Sequence, residues 1–227
     1  MPIILCIETT STNCSVALAS EKGGYKNDMN VKNCLDLLED KSDSYSHGEL
    51  LHVYIKELLN RNNLTIEDLA AVAISKGPGS YTGLRIGVAS AKGLCFAQDI
   101  PLISIDTLRA LSLQVPQNKT VIPMMDARRM EVYSAVYTNG ELKEKVAATI
   151  LEEDSFQRYL KSGDATVLGT GAAKFQELTA DRSNEYVSSV PTALTMCNLA
   201  IQAYKKSDTV EDIAYFEPFY LKEFKSN

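Results

Sequence analysis

Apolar and polar positions in the first part of the chain follow the period of β-strands. The apolar run Ile3–Ile7 predicts a buried strand, and the polar residues 8–13 that follow have turn chemistry. Apolar residues then recur at every second position from Cys14 to Leu18, which predicts the returning strand of a hairpin. A weaker third strand is predicted near Tyr25–Val31. The chain is therefore expected to begin with three consecutive strands.

Helices and strands alternate in the next part of the chain. The motif Ser46-His47-Gly48-Glu49 is a capping box, which marks the beginning of a helix. The predicted elements are, in order, a helix over Ser46–Leu59, a strand over Ala70–Ile74, a helix over Ser80–Phe96, a strand over Leu102–Ile105 and a helix that begins at Asp106 or Thr107.

The second half of the chain repeats this order of elements. Its predicted elements are a strand over Val121–Met125, an alternating strand over residues 132–137, a weak strand near Lys143–Ile150, a helix over Asp154–Lys161, a strand over Thr166–Leu168, a helix opened by Gly169-Thr170-Gly171, a strand over Tyr186–Val190 and a helix capped by Pro191-Thr192. Each half is therefore βββαβαβα, an order that implies a mixed sheet with helices on both faces. We predict an α/β protein with two similar domains, 1–115 and 116–227. Pro123 argues against this arrangement, because proline is rare in central strands.

Composition narrows the class of protein. The chain has 227 residues and a formal net charge of −6, which argues against a stand-alone nucleic-acid-binding protein and leaves room only for a local basic patch. No apolar run approaches the ~20 residues of a membrane span, and no basic segment precedes the first apolar run, so neither a membrane anchor nor a signal peptide is predicted. The five cysteines form no C-x-x-C pair, which predicts reduced thiols and a cytoplasmic protein.

Two carboxylates occupy equivalent places in the two halves. Glu8 and Asp126 each follow the first strand of their half, and open α/β sheets bind ligands at the carboxyl ends of strands. Across a cleft, two such carboxylates could hold Mg²⁺ or position a water molecule. Alternatively, each carboxylate caps the N–H groups of its own turn. The candidate residues for a cleft close to a nucleotide are Glu8, Thr9, Thr10, Asp126, Arg128 and Arg129.

The segment 76–85 is rich in glycine but matches neither the P-loop nor the dinucleotide-binding fingerprint, because Thr82 stands where both patterns need glycine. A tight turn between a strand and a helix is the favoured interpretation. The alternative is a weak anion site at the N-terminus of the helix.

The helix after this turn carries small residues at regular spacing. Gly83, Gly87 and Ala91 lie four residues apart, and a glycine inside a helix costs about 1 kcal/mol relative to alanine. Such a stripe permits the close approach of another backbone, either the protein's own sheet or a second chain. The helix over Ser46–Leu59 is apolar on more than one face, so its second face is also expected to be buried against another element or another chain. The candidate partner interface on the two helices comprises Leu51, Tyr54, Ile55, Leu58, Gly83, Leu84, Gly87, Val88 and Ala91.

Sequence motifs for covalent or metal-dependent catalysis are not found. His47 and His52 are five residues apart, which places them about 140° apart around a helix, and we expect surface or helix-capping positions for both. The sequence has no G-x-S-x-G motif for a serine nucleophile. We therefore predict neither catalytic residues nor metal ligands.

Several segments together resemble one protein family. Ile7-Glu8-Thr9-Thr10-Ser11, Tyr45-Ser46-His47, the segment 76–87, Asp126-Ala127-Arg128-Arg129-Met130-Glu131-Val132-Tyr133 and Pro218-Phe219-Tyr220-Leu221 are similar to the bacterial TsaB (YeaZ) family in order and spacing. The resemblance implies two RNase H-like domains of the actin/Hsp70/sugar-kinase superfamily (ASKHA). It also implies a role in making threonylcarbamoyladenosine beside the anticodon of tRNA.

The same resemblance implies a non-catalytic subunit. Members of the family bind the TsaD transferase through helices of the first domain, and the TsaE ATPase joins the assembly. ATP and threonylcarbamoyl-AMP are used by the complex, and no cofactor belongs to this chain. A chain without its partner is expected to be able to form a homodimer through the same surface. The partner's metal site needs an H-x-x-x-H pair, and the spacing of His47 and His52 does not match it.

Two functions from different classes remain as hypotheses. The first is a scaffold subunit that acts by holding the transferase. The second is an ATP-binding or ATP-hydrolysing enzyme that uses Glu8, Asp126 and the Gly169-Thr170-Gly171 loop.

Overall fold

The computed structural model describes residues 1–24, 32–40, 47–206 and 210–221, which form two compact units. Unit 1 comprises the described residues of Met1–Thr107 and Thr192–Phe219. Unit 2 comprises Leu108–Pro191 together with Tyr220 and Leu221. The predicted strand at Tyr25–Val31 lies outside the described residues, and so does Ser46, the predicted first residue of a helix.

The order of elements follows the sequence pattern closely. The strands are β1 (Ile3–Glu8), β2 (Cys14–Gly24), β3 (Lys32–Asp40), β4 (Leu69–Ser75), β5 (Leu102–Ile105), β6 (Thr120–Asp126), β7 (Glu131–Thr138), β8 (Glu141–Ile150), β9 (Ala165–Leu168), β10 (Glu185–Val187) and β11 (Val210–Glu211). The helices are α1 (His47–Arg61), α2 (Tyr81–Gln98), α3 (Thr107–Ser112), α4 (Gln157–Leu160), α5 (Ala172–Thr179) and α6 (Ala193–Lys206). A short 3₁₀ turn over Ile66–Asp68 precedes β4.

Both units contain a mixed sheet with the same internal strand order. The order in unit 1 is β11-β5-β4-β1-β2-β3, with β1, β2 and β3 antiparallel and β1, β4 and β5 parallel. The order in unit 2 is β10-β9-β6-β7-β8, with the corresponding directions. The predicted α/β class with a duplicated βββαβαβα order is therefore confirmed.

The core of unit 1 lies between its sheet and helices α1 and α2. Alternate residues of β1, Leu5 and Ile7, pack with Leu51 and Leu58 of α1 and with Val88 of α2. All five are at most 5% exposed. Because the burial of apolar surface is the main favourable contribution to folding, this contact fixes one face of each helix to the sheet.

Helix α6 belongs to unit 1, although the sequence order places it in the second half. The N–H of Ala193 donates to Ser15 Oγ at 2.8 Å, and Thr192 Oγ1 donates to Glu39 Oε2 at 2.9 Å. The small buried residues of α6 let the helix lie close to the first sheet. The observed division therefore differs from the predicted domains 1–115 and 116–227. A contact between segments so distant in the chain leaves no local signal in the sequence.

Two further elements depart from the expected pattern. The predicted helix over Asp154–Lys161 is reduced to α4, because Phe156 has a φ of 57° and a right-handed helix cannot continue back through it. Pro123 does lie in the central strand β6, beside Leu168 of β9. The ladder between β6 and β7 is interrupted there and resumes at Met124, since proline has no N–H to donate.

The core of unit 2 is smaller and separate. Ile122, Val132, Val167 and Phe175 are its central members, and all four are fully buried. Among the described residues, no helix is both long and apolar enough to cross a membrane.

Candidate functional site

The β1–β2 turn of unit 1 contains the first candidate carboxylate. Glu8 ends β1, pairs with Ser15 of β2 and has a fully buried side chain. Its Oε1 accepts a hydrogen bond of 2.6 Å from the N–H of Thr10. The neighbouring Thr9 and Thr10 are buried too. Glu8 therefore caps its own turn, which is the second of the two interpretations of this residue.

The environment of Glu8 disfavours its ionised form. Burial raises the pKa of Glu8 because the carboxylate loses its hydration, and hydrogen bonding by Ser75 and Thr10 opposes this rise without cancelling it. Oε2 has no hydrogen-bond partner among the described residues. An ionised carboxylate at this position is therefore a cost to the stability of unit 1.

Replacing Glu8 by glutamine is expected to stabilise the chain at neutral pH. A carboxyl group with a raised pKa supports folding at pH values below its unfolded pKa, and that support is lost as the pH rises through the folded pKa. The amide of Glu8→Gln keeps an acceptor for Thr10 and has no such loss. In thermal unfolding, we expect the Tm of the variant to exceed that of the wild type by a few degrees at about pH 8 and to match it near pH 4. A Tm difference that is the same at both pH values would contradict this account of Glu8.

The glycine stripe of α2 packs on this same turn. Thr9 Oγ1 donates a hydrogen bond of 2.8 Å to the carbonyl oxygen of Gly83. A Cβ at Gly83 would overlap the Thr9 carbonyl oxygen, and a Cβ at Gly87 would overlap Thr9 Oγ1. Of the two explanations for the stripe, close approach to the protein's own sheet is therefore the one that the structure shows.

The residues expected to contact a partner chain lie instead in the core of unit 1. The buried members of that set are Leu51, Ile55, Leu58, Gly83, Leu84, Gly87, Val88 and Ala91. Tyr54 is half-buried against the same core. We correct the candidate interface accordingly, because the face that each helix turns toward its own sheet is not available to another protein. The sequence pattern identified the two helices but not which apolar face points outward.

Helices α1 and α2 do have an exposed apolar surface, formed by other residues. On α2, Ile86, Ala89, Gly93 and Phe96 follow the spacing i, i+3, i+7 and i+10, which places them on one side of the helix. Ala89, Gly93 and Phe96 are exposed, whereas Ile86 is half-buried at the edge of this surface and also packs against the core of unit 1. Phe96 is 82% exposed, and Val53 of α1 is 54% exposed. We call these five residues the outward face. This spacing was not predicted, because the regular stripe of Gly83, Gly87 and Ala91 is the more conspicuous pattern in the sequence.

Gly93 differs from the other two glycines in the middle of α2. A Cβ at Gly93 would have nothing within 4 Å, whereas those at Gly83 and Gly87 would overlap Thr9. Packing within the described part of the chain therefore does not require a glycine at this position.

The backbone amides of the glycine-rich turn before α2 donate hydrogen bonds to other residues of unit 1. The N–H of Gly77 donates to Thr107 Oγ1 at 3.0 Å, and the N–H of Ser80 donates to the carbonyl oxygen of Thr10 at 2.7 Å. Ser80 also caps α2 by accepting from the N–H of Gly83 at 3.3 Å. Because the amides of Gly77, Ser80 and Gly83 already have protein acceptors, the structure favours the predicted tight turn.

The β6–β7 turn of unit 2 contains the second candidate carboxylate. Asp126 Oδ1 accepts from the N–H of Arg128 at 2.6 Å and from Lys174 Nζ at 3.0 Å. Lys174 Nζ also donates to the carbonyl oxygens of Arg129 and Glu131, at 2.9 and 2.6 Å. Asp126 thus caps its turn as the glutamate does in unit 1. The role of Lys174 could not be predicted from the sequence, since no spacing rule joins residues 48 positions apart.

The two histidines do not form a pair. His52 is exposed, as predicted, and its Nε2 lies 3.2 Å from Ser90 Oγ. His47 is not at the surface: its Nε2 lies 2.7 Å from the carbonyl oxygen of Ser11, and burial lowers its pKa. In the described parts of the chain, no group of three or more His, Cys, Asp or Glu residues could hold a metal ion.

The five cysteines are free and buried, which confirms the prediction of reduced thiols. Burial raises the pKa of Cys14 to about 12 and the pKa of Cys95 to about 11. Thiolates are the reactive form of cysteine, so these residues behave as small apolar side chains rather than as nucleophiles.

Comparisons with known proteins agree with this architecture. A family model described as "TsaD: tRNA N6-adenosine threonylcarbamoyltransferase" matches residues 41–224. YeaZ from Pseudomonas aeruginosa has a similar structure, with a TM-score of 0.75 and 24% sequence identity over 97% of this chain and 100% of that chain. That likeness shows that the two chains share the same duplicated α/β fold.

Curated relatives extend the likeness to nearly the full length. A protein of Escherichia coli named "tRNA threonylcarbamoyladenosine biosynthesis protein TsaB" is 29% identical, covering 96% of this chain and 94% of the relative. The protein of that name from Bacillus subtilis is 32% identical, over 74% of this chain and 70% of the relative. The chain therefore belongs to the family that the matching model defines and, within it, to the TsaB proteins of tRNA threonylcarbamoyladenosine biosynthesis.

Proposed function

We propose that this chain is a non-catalytic subunit that binds and activates a TsaD-like transferase for threonylcarbamoyl transfer to the adenosine next to the tRNA anticodon. The observation that carries the proposal is the outward face, an apolar surface of unit 1 with an exposed glycine at its centre. Membership of the TsaB family indicates the pathway, and the outward face is the surface through which we expect the chain to bind its partner.

Gly93 and Phe96 favour a helix packed closely against the outward face. A mid-helix glycine costs about 1 kcal/mol relative to alanine, and no contact in the described residues explains Gly93. The spacing of the face on α2 is that of a helix–helix seam, in which a small residue lets two backbones approach closely. A phenylalanine exposed at the end of the seam is a suitable anchor for a partner's pocket.

The resemblance to the TsaB family implies the partners of the assembly, and we assign the transferase to the outward face. The transferase occupies the outward face, a TsaE-like ATPase joins the pair, and two copies of the chain form a homodimer through the same face when the transferase is absent. ATP and threonylcarbamoyl-AMP are substrates of the complex, while this chain holds no cofactor of its own. We expect the assembly in the cytoplasm.

The geometry of the candidate cleft residues favours the subunit over an ATP-handling enzyme. Glu8 is enclosed within unit 1, and the amides of the glycine-rich turn donate to Thr107 and Thr10. Asp126 is engaged by Lys174 and its own turn. These groups stabilise local structure, so an Mg–ATP complex would have to displace existing hydrogen bonds.

Titration calorimetry tests the proposal with the purified, full-length chain. We expect the transferase to give a saturable 1:1 heat signal and Mg–ATP added to the chain alone to give neither heat of binding nor phosphate release. Turnover of ATP by the lone chain, or the absence of any complex with the transferase, would contradict the proposed function.

A further inference from the structure

Two consecutive arginines in the β6–β7 turn of unit 2 adopt a left-handed backbone. Arg128 has a φ of 69° and Arg129 a φ of 52°, and both are exposed. Residues other than glycine, asparagine and aspartate rarely adopt this conformation, because the Cβ comes too close to the backbone. The turn therefore holds two arginines where asparagine or glycine would be more stable. This choice suggests that the guanidinium groups themselves are needed.

Lys174 fixes the shape of this turn. Its three ammonium protons are directed to Asp126 Oδ1, to the carbonyl oxygen of Arg129 and to that of Glu131. The Asp126 carboxylate accepts from the N–H of Arg128 as well. Asp126 is thus engaged by Lys174 and by the backbone, and it forms no ion pair with either arginine side chain.

The two guanidinium groups form no hydrogen bond or ion pair with any residue that the structure describes. Guanidinium groups remain charged at every physiological pH and match the geometry of phosphate oxygens with two donors at once. An adjacent, uncompensated pair is notable in a chain with a net charge of −6. We propose that the Arg128–Arg129 turn contacts the phosphate backbone of the tRNA substrate, an inference that rests on the proposed function because it takes the nucleic acid from that pathway.

Phosphate contacts of this kind orient a nucleic acid without reading its sequence. Their position in a turn held by Lys174 gives the contact a fixed direction, because the backbone that carries both side chains is already ordered. An acidic segment of another protein has similar charge, and the experiment separates it from RNA.

The test uses Arg128→Asn/Arg129→Gly, which suits a left-handed backbone while removing both charges. Fluorescence anisotropy with a labelled tRNA transcript is measured over a series of salt concentrations, for the full-length chain alone and with the transferase. We expect the variant to bind the transcript roughly 10-fold or more weakly at low salt, with a slope of log affinity against log salt that is smaller by about 2. Its Tm should rise by a few degrees, since the strain is relieved.

Two control variants distinguish the loss of these two charges from other effects of substitution. Arg128→Lys/Arg129→Lys keeps both charges and should retain most of the salt slope. Arg182→Ala removes another exposed arginine of unit 2 and should leave the affinity nearly unchanged. Unchanged tRNA affinity in Arg128→Asn/Arg129→Gly, an equal loss in Arg182→Ala, or a loss of transferase binding in place of tRNA binding would each overturn the proposal. The proposed function can fail separately. In that case the wild-type chain would not bind the transferase, although its own affinity for the transcript could still be measured.

Discussion

Gly93→Arg is expected to weaken binding of the TsaD-like transferase by at least about 100-fold, or about 3 kcal/mol, while the chain remains folded. The position has open space around it, and arginine is a good helix former, so α2 tolerates the change. In the complex, the new side chain would separate two closely packed backbones and place an unpaired charge in an apolar contact. Titration of the transferase with wild-type and variant chains measures the loss directly.

Gly48→Arg is the matched control for this substitution. Gly48 is also an exposed helical glycine with nothing within 4 Å of its Cβ position. It lies on α1 five residues before Val53, which places it about 140° around the helix from the outward face. We expect Gly48→Arg to bind the transferase normally. Equal losses in both variants, or no loss in Gly93→Arg, would reject the outward face as the interface.

Gly83→Ala is expected to have the largest effect on stability, a loss of about 3 kcal/mol with a Tm lower by roughly 6–12 °C. The added Cβ would overlap the carbonyl oxygen of Thr9, which is backbone and cannot move without shifting the β1–β2 turn. The hydrogen bond from Thr9 Oγ1 to the carbonyl oxygen of Gly83 would be strained at the same time. Chemical denaturation of the isolated chain measures this change in the free energy of unfolding.

The same glycine-to-alanine change ten positions later should have the opposite sign. Gly93→Ala adds a methyl group in open space and restricts the unfolded chain, so we expect a gain of about 0.5–1 kcal/mol. If Gly83→Ala proved as stable as Gly93→Ala, the close packing of α2 on Thr9 would be refuted. The pair therefore separates a glycine needed for folding from a glycine that folding does not need.

The α/β class and the order of the elements along the chain could be predicted from the sequence because they depend on local periodicity. Period-2 alternation in β2 and β7 and short apolar runs in β1, β4 and β6 are visible within a few residues. The register and the membership of α6 depend on contacts between distant segments, such as that of Ala193 with Ser15. Local patterns do not contain that information.

The candidate site could be predicted only in part, for a different physical reason. Helices α1 and α2 carry apolar residues on two sides, and hydrophobicity alone does not say which side meets the sheet. Ile86 and Phe96 on one side are as hydrophobic as Leu84 and Val88 on the other, and the regular glycine spacing led the assignment to the side that is buried. The three glycines of α2 look alike in sequence, yet only the overlap with Thr9 distinguishes Gly83 and Gly87 from Gly93.

The conformation of the β6–β7 turn could not be predicted from the sequence either. Arg128 and Arg129 were candidates because they follow Asp126, but their backbone conformation is not one that arginine favours. The contacts of Lys174 that hold the turn come from α5, far along the chain. The conformation therefore becomes visible only when the whole unit is folded.

Reconstituted tRNA modification with the purified transferase, its ATPase and threonylcarbamoyl-AMP is the most direct measurement of how this chain acts. Wild-type chain should restore formation of threonylcarbamoyladenosine, whereas Gly93→Arg should leave it at the level seen without the chain, and Gly48→Arg should behave as the wild type. Full modification in the absence of the chain, or undiminished modification with Gly93→Arg, would contradict a subunit that works by presenting its outward face to the transferase.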